Sequence, residues 1–299
     1  MTAKVIWMDG ELVNWDDATI HVTTLGLHYG IGFFEGIRCH SGPDGPTLFR
    51  LSDHVRRLRN SAAIHGFELP YSTTEISLAC RLVVSANHLT DCYLRPIMFL
   101  DSGIDPFTAQ FRAAVIATPY GPLAEPKPGG CRARISSFQR MTPNSLPPAA
   151  KATGQYLSSF LARAEAASGG YDEAILLNSN GFVADGLAHN IFVVIDDTLI
   201  TPPVSAGALP GITRDSIMTL GREAGLDVAV RDLVRSDLYL ADECFLTGTA
   251  VGVVPLLSVD GRTVGAGKPG PVTTQLTSTL SAITHGTSAA HPEWRESVQ

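Results

Sequence analysis

Lysine is scarce in this 299-residue chain: there are four, at Lys4, Lys127, Lys151 and Lys268. Basic clusters are scarce as well, the densest being Arg56-Arg57-Leu58-Arg59 on one short predicted helix. With a net charge of -7, the chain offers a polyanion no electrostatic footprint, which excludes non-specific nucleic-acid binding. The five cysteines (Cys39, Cys80, Cys92, Cys131 and Cys244) are scattered, odd in number and form no Cys-x-x-Cys pair. A disulfide framework and a thiolate zinc site are thereby excluded. The nine histidines show no metal-ligand spacing, and His-Glu-x-x-His, Gly-x-Ser-x-Gly and the Walker P-loop are absent, so no metal is expected. No segment reaches about 18 uninterrupted apolar residues. The first ten residues lack the apolar run of a signal peptide. The expectation is a soluble cytoplasmic protein with no membrane partner.

What is present is a globular composition, 44% hydrophobic and 17% charged, on a chain long enough for two domains. Lys4 to Met8 and Glu11 to Val13 read as strands joined by an Asp9-Gly10 hairpin turn. Phe33 to His40 and Thr47 to Arg50 read as a second hairpin. Ser52 is placed to cap a helix running to about His65. Ser72-Thr-Thr-Glu75 has the pattern of a capping box opening a helix to about Asn87. Strands follow near Cys92 to Leu100 and Phe111 to Thr118, without a βαβ rhythm, so this region reads as α+β. Residues Pro119 to Gly130, rich in proline and glycine, read as a linker. Beyond it come a strand at Cys131 to Phe138, a helix after Lys151 and a hairpin turned by Asn180-Gly181. Further strands are expected near Asn190 to Ile195, Leu199 to Pro202, Val228 to Val230, Glu243 to Leu246 and Gly252 to Leu257. Helices are expected over about Ile212 to Ala224 and Gly270 to Thr284. The tail after His285 is polar and reads as loosely ordered. The domain boundaries expected are 1–120, an interdomain loop over 121–134, and 135–299.

Lys151 stands apart from the other lysines. Lys4 lies near the N-terminus, Lys127 in a Pro/Gly loop and Lys268 among glycines, all places where a solvated charge costs nothing. Lys151 follows two prolines and two alanines and precedes a helix. Small neighbours allow close approach of another molecule, and burial favours the neutral, nucleophilic amine that Schiff-base chemistry requires. Taken singly, a snorkelling lysine at a helix start explains the same segment. Ala208 to Asp215 places a tight turn at the start of an apolar-periodic helix, where backbone N–H groups and the dipole suit a phosphate and Thr213 adds a hydroxyl. Thr247-Gly248-Thr249-Ala250 ends a strand in a second small-residue turn. Gly30-Ile-Gly32-Phe-Phe-Glu-Gly36 is out of register by one residue for a dinucleotide fingerprint and lacks a βαβ unit.

Together these stretches resemble the branched-chain aminotransferase group of fold-type IV pyridoxal-phosphate enzymes. The matching segments, in the family's order, begin with Leu27-His-Tyr-Gly30, Phe34-Glu-Gly-Ile-Arg38, Phe49-Arg50, His54-x-x-Arg57-Leu58 and Tyr93-Leu-Arg95-Pro96. Ala150-Lys151-Ala-Thr-Gly154-x-Tyr156, Leu209-Pro-Gly-Ile-Thr-Arg-Asp215 and Gly248-Thr249-Ala250 complete them. The resemblance implies a small α+β N-terminal domain, a larger C-terminal domain with a pseudo-barrel β core, and the cofactor between them. It implies pyridoxal 5′-phosphate joined to Lys151, which later moves the substrate proton. Tyr156 would hydrogen-bond the cofactor's phenolic oxygen and Asp185 would face its ring nitrogen. Arg57, Ile212, Thr213, Gly248 and Thr249 would hold the phosphate. Tyr93, Arg95, Thr249 and Ala250 would receive substrate carboxylates, with Tyr29, Phe34, Gly36, Arg38 and Tyr120 shaping the pocket.

The sequence departs from the pattern in three places. Ala184-Asp185-Gly186 stands where the family has Ser-Glu-Gly. His189 replaces a Glu usual four residues on. The segment after Phe99 is shorter than the family loop that closes a neighbouring subunit's site. The function implied is transamination between an apolar, branched-chain type L-amino acid and 2-oxoglutarate, by a homodimer or higher homo-oligomer. An (R)-amine or D-amino-acid transaminase, an aminodeoxychorismate-lyase-like enzyme and a non-catalytic cofactor binder remain as alternatives on the same scaffold.

Overall fold

The computed structural model describes residues 3–120 and 129–299, so much of the expected linker lies outside the described residues. The chain divides into two compact units. The first comprises Met1–Leu123, Ala150–Gln155 and Ala282–Gln299, and the second Ala124–Ala149 and Tyr156–Ser281.

In the first unit, β1 (Val5–Met8) and β2 (Glu11–Asn14) form a hairpin. Its turn residues Asp9 and Gly10 have φ of 49° and 107°, as the two-residue turn matched to strand twist demands. Then come α1 (Leu25–Tyr29), β3 (Gly32–Phe34), β4 (Ile37–His40) and β5 (Thr47–Phe49). They are followed by α2 (Leu51–Ile64), α3 (Thr73–Ala86), β6 (Cys92–Leu100) and β7 (Phe111–Pro119). The strands form one antiparallel sheet in the order β5-β4-β6-β7-β1-β2, with β3 also beside β6. Apolar residues of α2 (Val55, Leu58, Ala62) and α3 (Ile76, Cys80, Val83) share one buried core with Ile37, Leu48 and Leu94 of the sheet. Ser72 and Glu75 make the reciprocal capping box anticipated for α3.

Three expectations are corrected. Phe33 to His40 is two strands interrupted at Glu35 and Gly36, opposite Pro96, which accepts from Glu35 N–H at 2.9 Å but has no N–H to return; the Glu35 carboxylate turns into α2. Ser52 is not the cap of α2. That place is taken by Arg50 in the left-handed region, φ 51°, while the N–H and hydroxyl of Ser52 donate to Glu296 at 2.7 and 3.0 Å. A carboxylate thus still serves the positive end of the helix, but it comes from far along the chain.

The second unit opens with β8 (Cys131–Gln139), α4 (Tyr156–Ser168), β9 (Glu173–Leu177), β10 (Val183–Gly186), β11 (Asn190–Ile195) and β12 (Thr198–Thr201). It continues with α5 (Ile212–Glu223), β13 (Asp227–Val230), α6 (Arg235–Leu240), β14 (Glu243–Gly248), β15 (Gly252–Val259), β16 (Arg262–Thr263) and α7 (Pro271–Thr284). The sheet is mixed, in the order β10-β9-β8-β15-β14-β11-β12-β13 with β16 on β15. Side chains from strands far apart in that order, Val183, Ile135, Val254, Leu246, Ile191 and Ile200, meet in one cluster, so the sheet curls around its own core. On its other face Phe192 and Phe245 stack at 5.2 Å, and α5 packs on β13 and β14. Among the described residues no helix is long and apolar enough to cross a membrane.

The third correction is the C-terminal tail. After α7, β17 (Arg295–Ser297) pairs antiparallel with β5 and extends the first unit's sheet. Trp294 is buried with its ring edge-on to Phe49 at 5.9 Å, and Val298 enters the core. Two apolar side chains among polar ones were enough to order the segment once an edge strand was there to receive it. Trp294→Ala should lower stability by about 3–5 kcal/mol, measured by urea unfolding; an unchanged midpoint would mean the strand is dispensable.

His40, at the end of β4, adds a pH dependence. Its Nδ1 is buried without a hydrogen-bond partner among the described residues, and its ring packs edge-on against His285 at 4.9 Å. Burial first, then the positive charge of Arg38, pull the imidazole from 6.5 down to about 3. The unfolded chain therefore takes up a proton that the folded one refuses. This group's contribution is intact above pH 6.5 and is lost as pH falls toward 3, at about 1.4 kcal/mol per pH unit. Unfolding free energies of His40→Gln should fall less steeply over that window than those of the wild type. Parallel slopes would assign the acid sensitivity elsewhere.

Candidate active site

Lys151 belongs to the short segment Ala150–Gln155 of the first unit, between the buried Ala150 and Ala152. Its backbone is tied on both sides: the N–H donates to Ser61 Oγ at 2.9 Å, and the carbonyl accepts from Phe34 N–H at 3.1 Å. Ser61 itself donates to the Arg57 carbonyl at 2.9 Å, so α2 presents one hydroxyl to the lysine's backbone. Just beyond, the Gly30 carbonyl accepts from Thr153 Oγ1 at 2.7 Å and from Gly154 N–H at 3.1 Å. A Cβ on Gly30 would lie 2.9 Å from Gly154 Cα, and Gly30 has φ 66°. Space and backbone both demand glycine there.

Four predicted residues gather around the lysine. Lys151 Nζ lies 5.1 Å from the Phe34 ring centre and the Arg95 guanidinium 4.6 Å from the same ring, both attracted to its face. Arg95 Nη2 donates to the Tyr93 hydroxyl at 3.2 Å. That hydroxyl occupies the space a side chain at Gly36 would need. Arg95 Nε is buried with no hydrogen-bond partner among the described residues. A buried guanidinium N–H left over in this way suits an incoming carboxylate. Arg38, opposite Tyr93 in register, pairs with Asp91 at 2.7 Å and lies 3.2 Å from the centre of the Tyr120 ring. Tyr29, 65% exposed at the end of α1, is not brought into this group.

Arg57 is held by residues the sequence reading did not assign. Its Nε and Nη2 donate to the two oxygens of Glu35 at 2.6 and 2.8 Å, a bidentate pair with fixed geometry. His54 Nδ1 contacts the same carboxylate at 2.8 Å. Burial alone would raise the Glu35 carboxyl; Arg57 and then His54 outweigh it and hold it well below the usual range. Burial lowers His54, with Glu35 opposing, so the imidazole is neutral and donates from Nδ1. The signal was present, since His54 and Arg57 are three apart on one helix face. Glu35, in an irregular break between strands, carried no periodicity to mark it.

The second unit carries the remaining residues. Tyr156 starts α4 and is half-buried. Asp185 is buried on β10, where a bulge between Val183 and Asp185 shifts the register against β9. Arg140 Nη2 stands 3.3 Å from its Oδ2, and Arg140 Nε donates to the Gly207 carbonyl at 3.0 Å. Arg140 was missed because no motif or spacing marks it. His189 turns to Glu173, with Nδ1 at 3.1 Å from Oε2. Ile212 and Thr213, both buried, open α5 after Gly211, a cap without a side chain. First-turn amides have no partner within their helix, which suits an anion. Gly248 closes β14, and Thr249-Ala250 form the half-buried turn into β15. Of metal-ligand types, His40, Asp91 and His285 bring ligand atoms within 4.8 Å of one another. Arg38 already holds Asp91 there, and its charge disfavours a cation.

The chain is similar to known proteins along nearly its whole length. The family described as "Amino-transferase class IV" matches residues 32–259. A branched-chain-amino-acid aminotransferase of Escherichia coli is 43% identical over 302 residues, covering 99% of this chain and 98% of the relative. The crystal structure of an E. coli branched-chain amino acid aminotransferase superposes with a TM-score of 0.94 at 42% identity, over 99% of this chain and 100% of that one. The holo-form branched-chain amino acid aminotransferase of Thermobaculum terrenum, in its PLP form, gives 0.93 at 32% identity, over 100% of this chain and 99% of that one.

Proposed function

Because this chain belongs to the class IV amino-transferases, we propose that it exchanges the amino group between a branched-chain L-amino acid and 2-oxoglutarate. The observation that carries this reading is the setting of Lys151, its backbone clamped and its Nζ sharing the Phe34 ring with Arg95. Class IV aminotransferases use pyridoxal 5′-phosphate, and the residues present fit that group. The buried Arg95 Nε without a hydrogen-bond partner among the described residues, the glycine-capped start of α5 and the buried Asp185 are the donors and the acceptor that cofactor and substrate call for.

Lys151, Arg57, Tyr156, Asp185, Ile212, Thr213, Gly248 and Thr249 would hold it. When bound, the cofactor supplies an electron sink that makes the substrate α-proton removable. The chain's own residues do the rest. Lys151 Nζ takes the proton from the substrate α-carbon and returns it elsewhere, and with its backbone fixed only its side chain has to move. Glu35 fixes the plane of the Arg57 guanidinium, so that arginine meets a phosphate without first ordering itself. Arg95 and Tyr93 receive a carboxylate, Thr249 and Ala250 offer a second place for one, and Phe34 and Gly36 leave an apolar, close-fitting wall. Asp185, beside Arg140, would stand as the counter-charge for a protonated ring nitrogen. Arg38, Tyr120 and Tyr29 would border the pocket. The working form is a cytoplasmic homodimer or higher oligomer; in support, Ile104 and Phe107 of the loop after β6 are 102% and 90% exposed, apolar surface that a second copy would cover.

A coupled assay with leucine and 2-oxoglutarate tests the reading. Wild type should form glutamate, and Lys151→Ala should lose roughly 10²-fold or more. Pyruvate release without an acceptor would point to the lyase, turnover of an aryl (R)-amine or a D-amino acid to the other transaminases, and no turnover to a binder.

Arg95 gives a second prediction, because the apolar side chain of leucine offers its guanidinium no partner. In single-turnover measurements Arg95→Ala should slow the glutamate half-reaction roughly tenfold more than the leucine one. Equal losses would make Arg95 a ligand of the α-carboxylate that all substrates share.

A further inference from the structure

We infer that the hydroxyl of Thr247 is a further donor to the cofactor phosphate, a role that rests on the function proposed above. Thr247 is 1% exposed, and its Oγ1 is buried without a hydrogen-bond partner among the described residues. Threonine hydroxyls at helical positions behave differently: Thr219 and Thr277 donate to carbonyls one turn back. A buried polar group without a partner calls for an explanation, and a ligand that accepts from it is one.

Register shows where the hydroxyl faces. Thr247 pairs with Asn190 across β14 and β11, and paired residues of antiparallel strands share a face. Asn190 reaches the start of α5: its Nδ2 donates to the Leu209 carbonyl at 2.9 Å, and its Oδ1 occupies the space a Cβ on Gly211 would need. Gly211 is the N-cap of α5, a twelve-residue helix packed on β14. Thr247 therefore lies on the sheet face that carries the helix N-terminus. Gly248 points the other way, since a side chain there would meet the His189 ring at 2.8 Å. A phosphate offers three acceptor oxygens, each able to accept more than one hydrogen bond, so a Thr247 donor adds to Arg57, Thr213, Thr249 and the first-turn amides without displacing one. An uncharged O–H is a donor that adds no charge to the protein when the site is empty.

Thr247→Val is nearly isosteric and removes the hydroxyl alone. Apoprotein of this variant should melt at the same or a higher temperature than wild-type apoprotein, because a buried hydroxyl without a partner is gone. Its affinity for pyridoxal phosphate, followed by absorbance, should fall roughly tenfold. Its affinity for pyridoxal without the phosphate should stay that of wild type, and Thr247→Ser should restore pyridoxal phosphate binding. Equal pyridoxal phosphate affinity in Thr247→Val and wild type overturns the assignment, as does an equal loss with pyridoxal. Wild-type protein that takes up no pyridoxal phosphate removes the function reading and this proposal together.

Discussion

The backbone of Lys151 is fixed at both its polar groups, and much of the first unit can be read as the means of fixing it. Ser61 is available to its N–H only because α2 lies over the sheet, and α2 is held there by Val55, Leu58 and Ala62 in the core. Phe34 N–H is available to its carbonyl because successive amides of a strand face opposite edges: Glu35 N–H donates to the Pro96 carbonyl of β6 at 2.9 Å, and Phe34 N–H faces the other way. Glu35, with its own N–H still bonded to β6, sends its carboxylate to Arg57 and His54. A neutral His54 beside an ionised Glu35 leaves the buried group with one negative charge against the one positive charge of Arg57. A buried pair tolerates burial when its charges match and its hydrogen bonds are made. Removing either charged member leaves an uncompensated charge in the core. Positions of lysine and arginine are therefore set by the same helix, through Ser61, which touches both backbones.

Much of this was legible in the sequence, for reasons that can be named. The hairpin at Asp9-Gly10, the capping box of Ser72 and Glu75, and the apolar periodicity of α2, α3 and α5 are local signals, and local signals survive into the fold. The motifs around Lys151 and Arg57 were legible by their order along the chain. What was not legible is what depends on partners remote in sequence. Arg50, in the left-handed region, is the cap of α2; Ser52 lies within the first turn, where Glu296, on the last strand, accepts from its N–H and hydroxyl. The tail looked unstructured because its apolar anchors, Trp294 and Val298, need β5, an edge strand that lies far earlier in the chain. Arg140 and Glu35 follow the same rule: each is defined by a carboxylate or guanidinium that no spacing connects to it.

Asp185 is where the chain leaves its family's pattern, and three features of its surroundings bear on how a shorter side chain can serve. Asp reaches about one carbon–carbon bond less far than Glu, roughly 1.5 Å, too much for a hydrogen bond to absorb. A bulge lies in β10 at this residue, and a bulge is how a strand re-aims one side chain without moving its neighbours. Arg140 tethers the carboxylate at 3.3 Å while itself anchored on Gly207, which narrows the rotamers open to it. His189 is turned elsewhere, its Nδ1 3.1 Å from Glu173 Oε2 and its ring against Gly248. At this position the chain therefore has a buried carboxylate on a bulged strand, and the bulge is the element whose geometry sets where that carboxylate points.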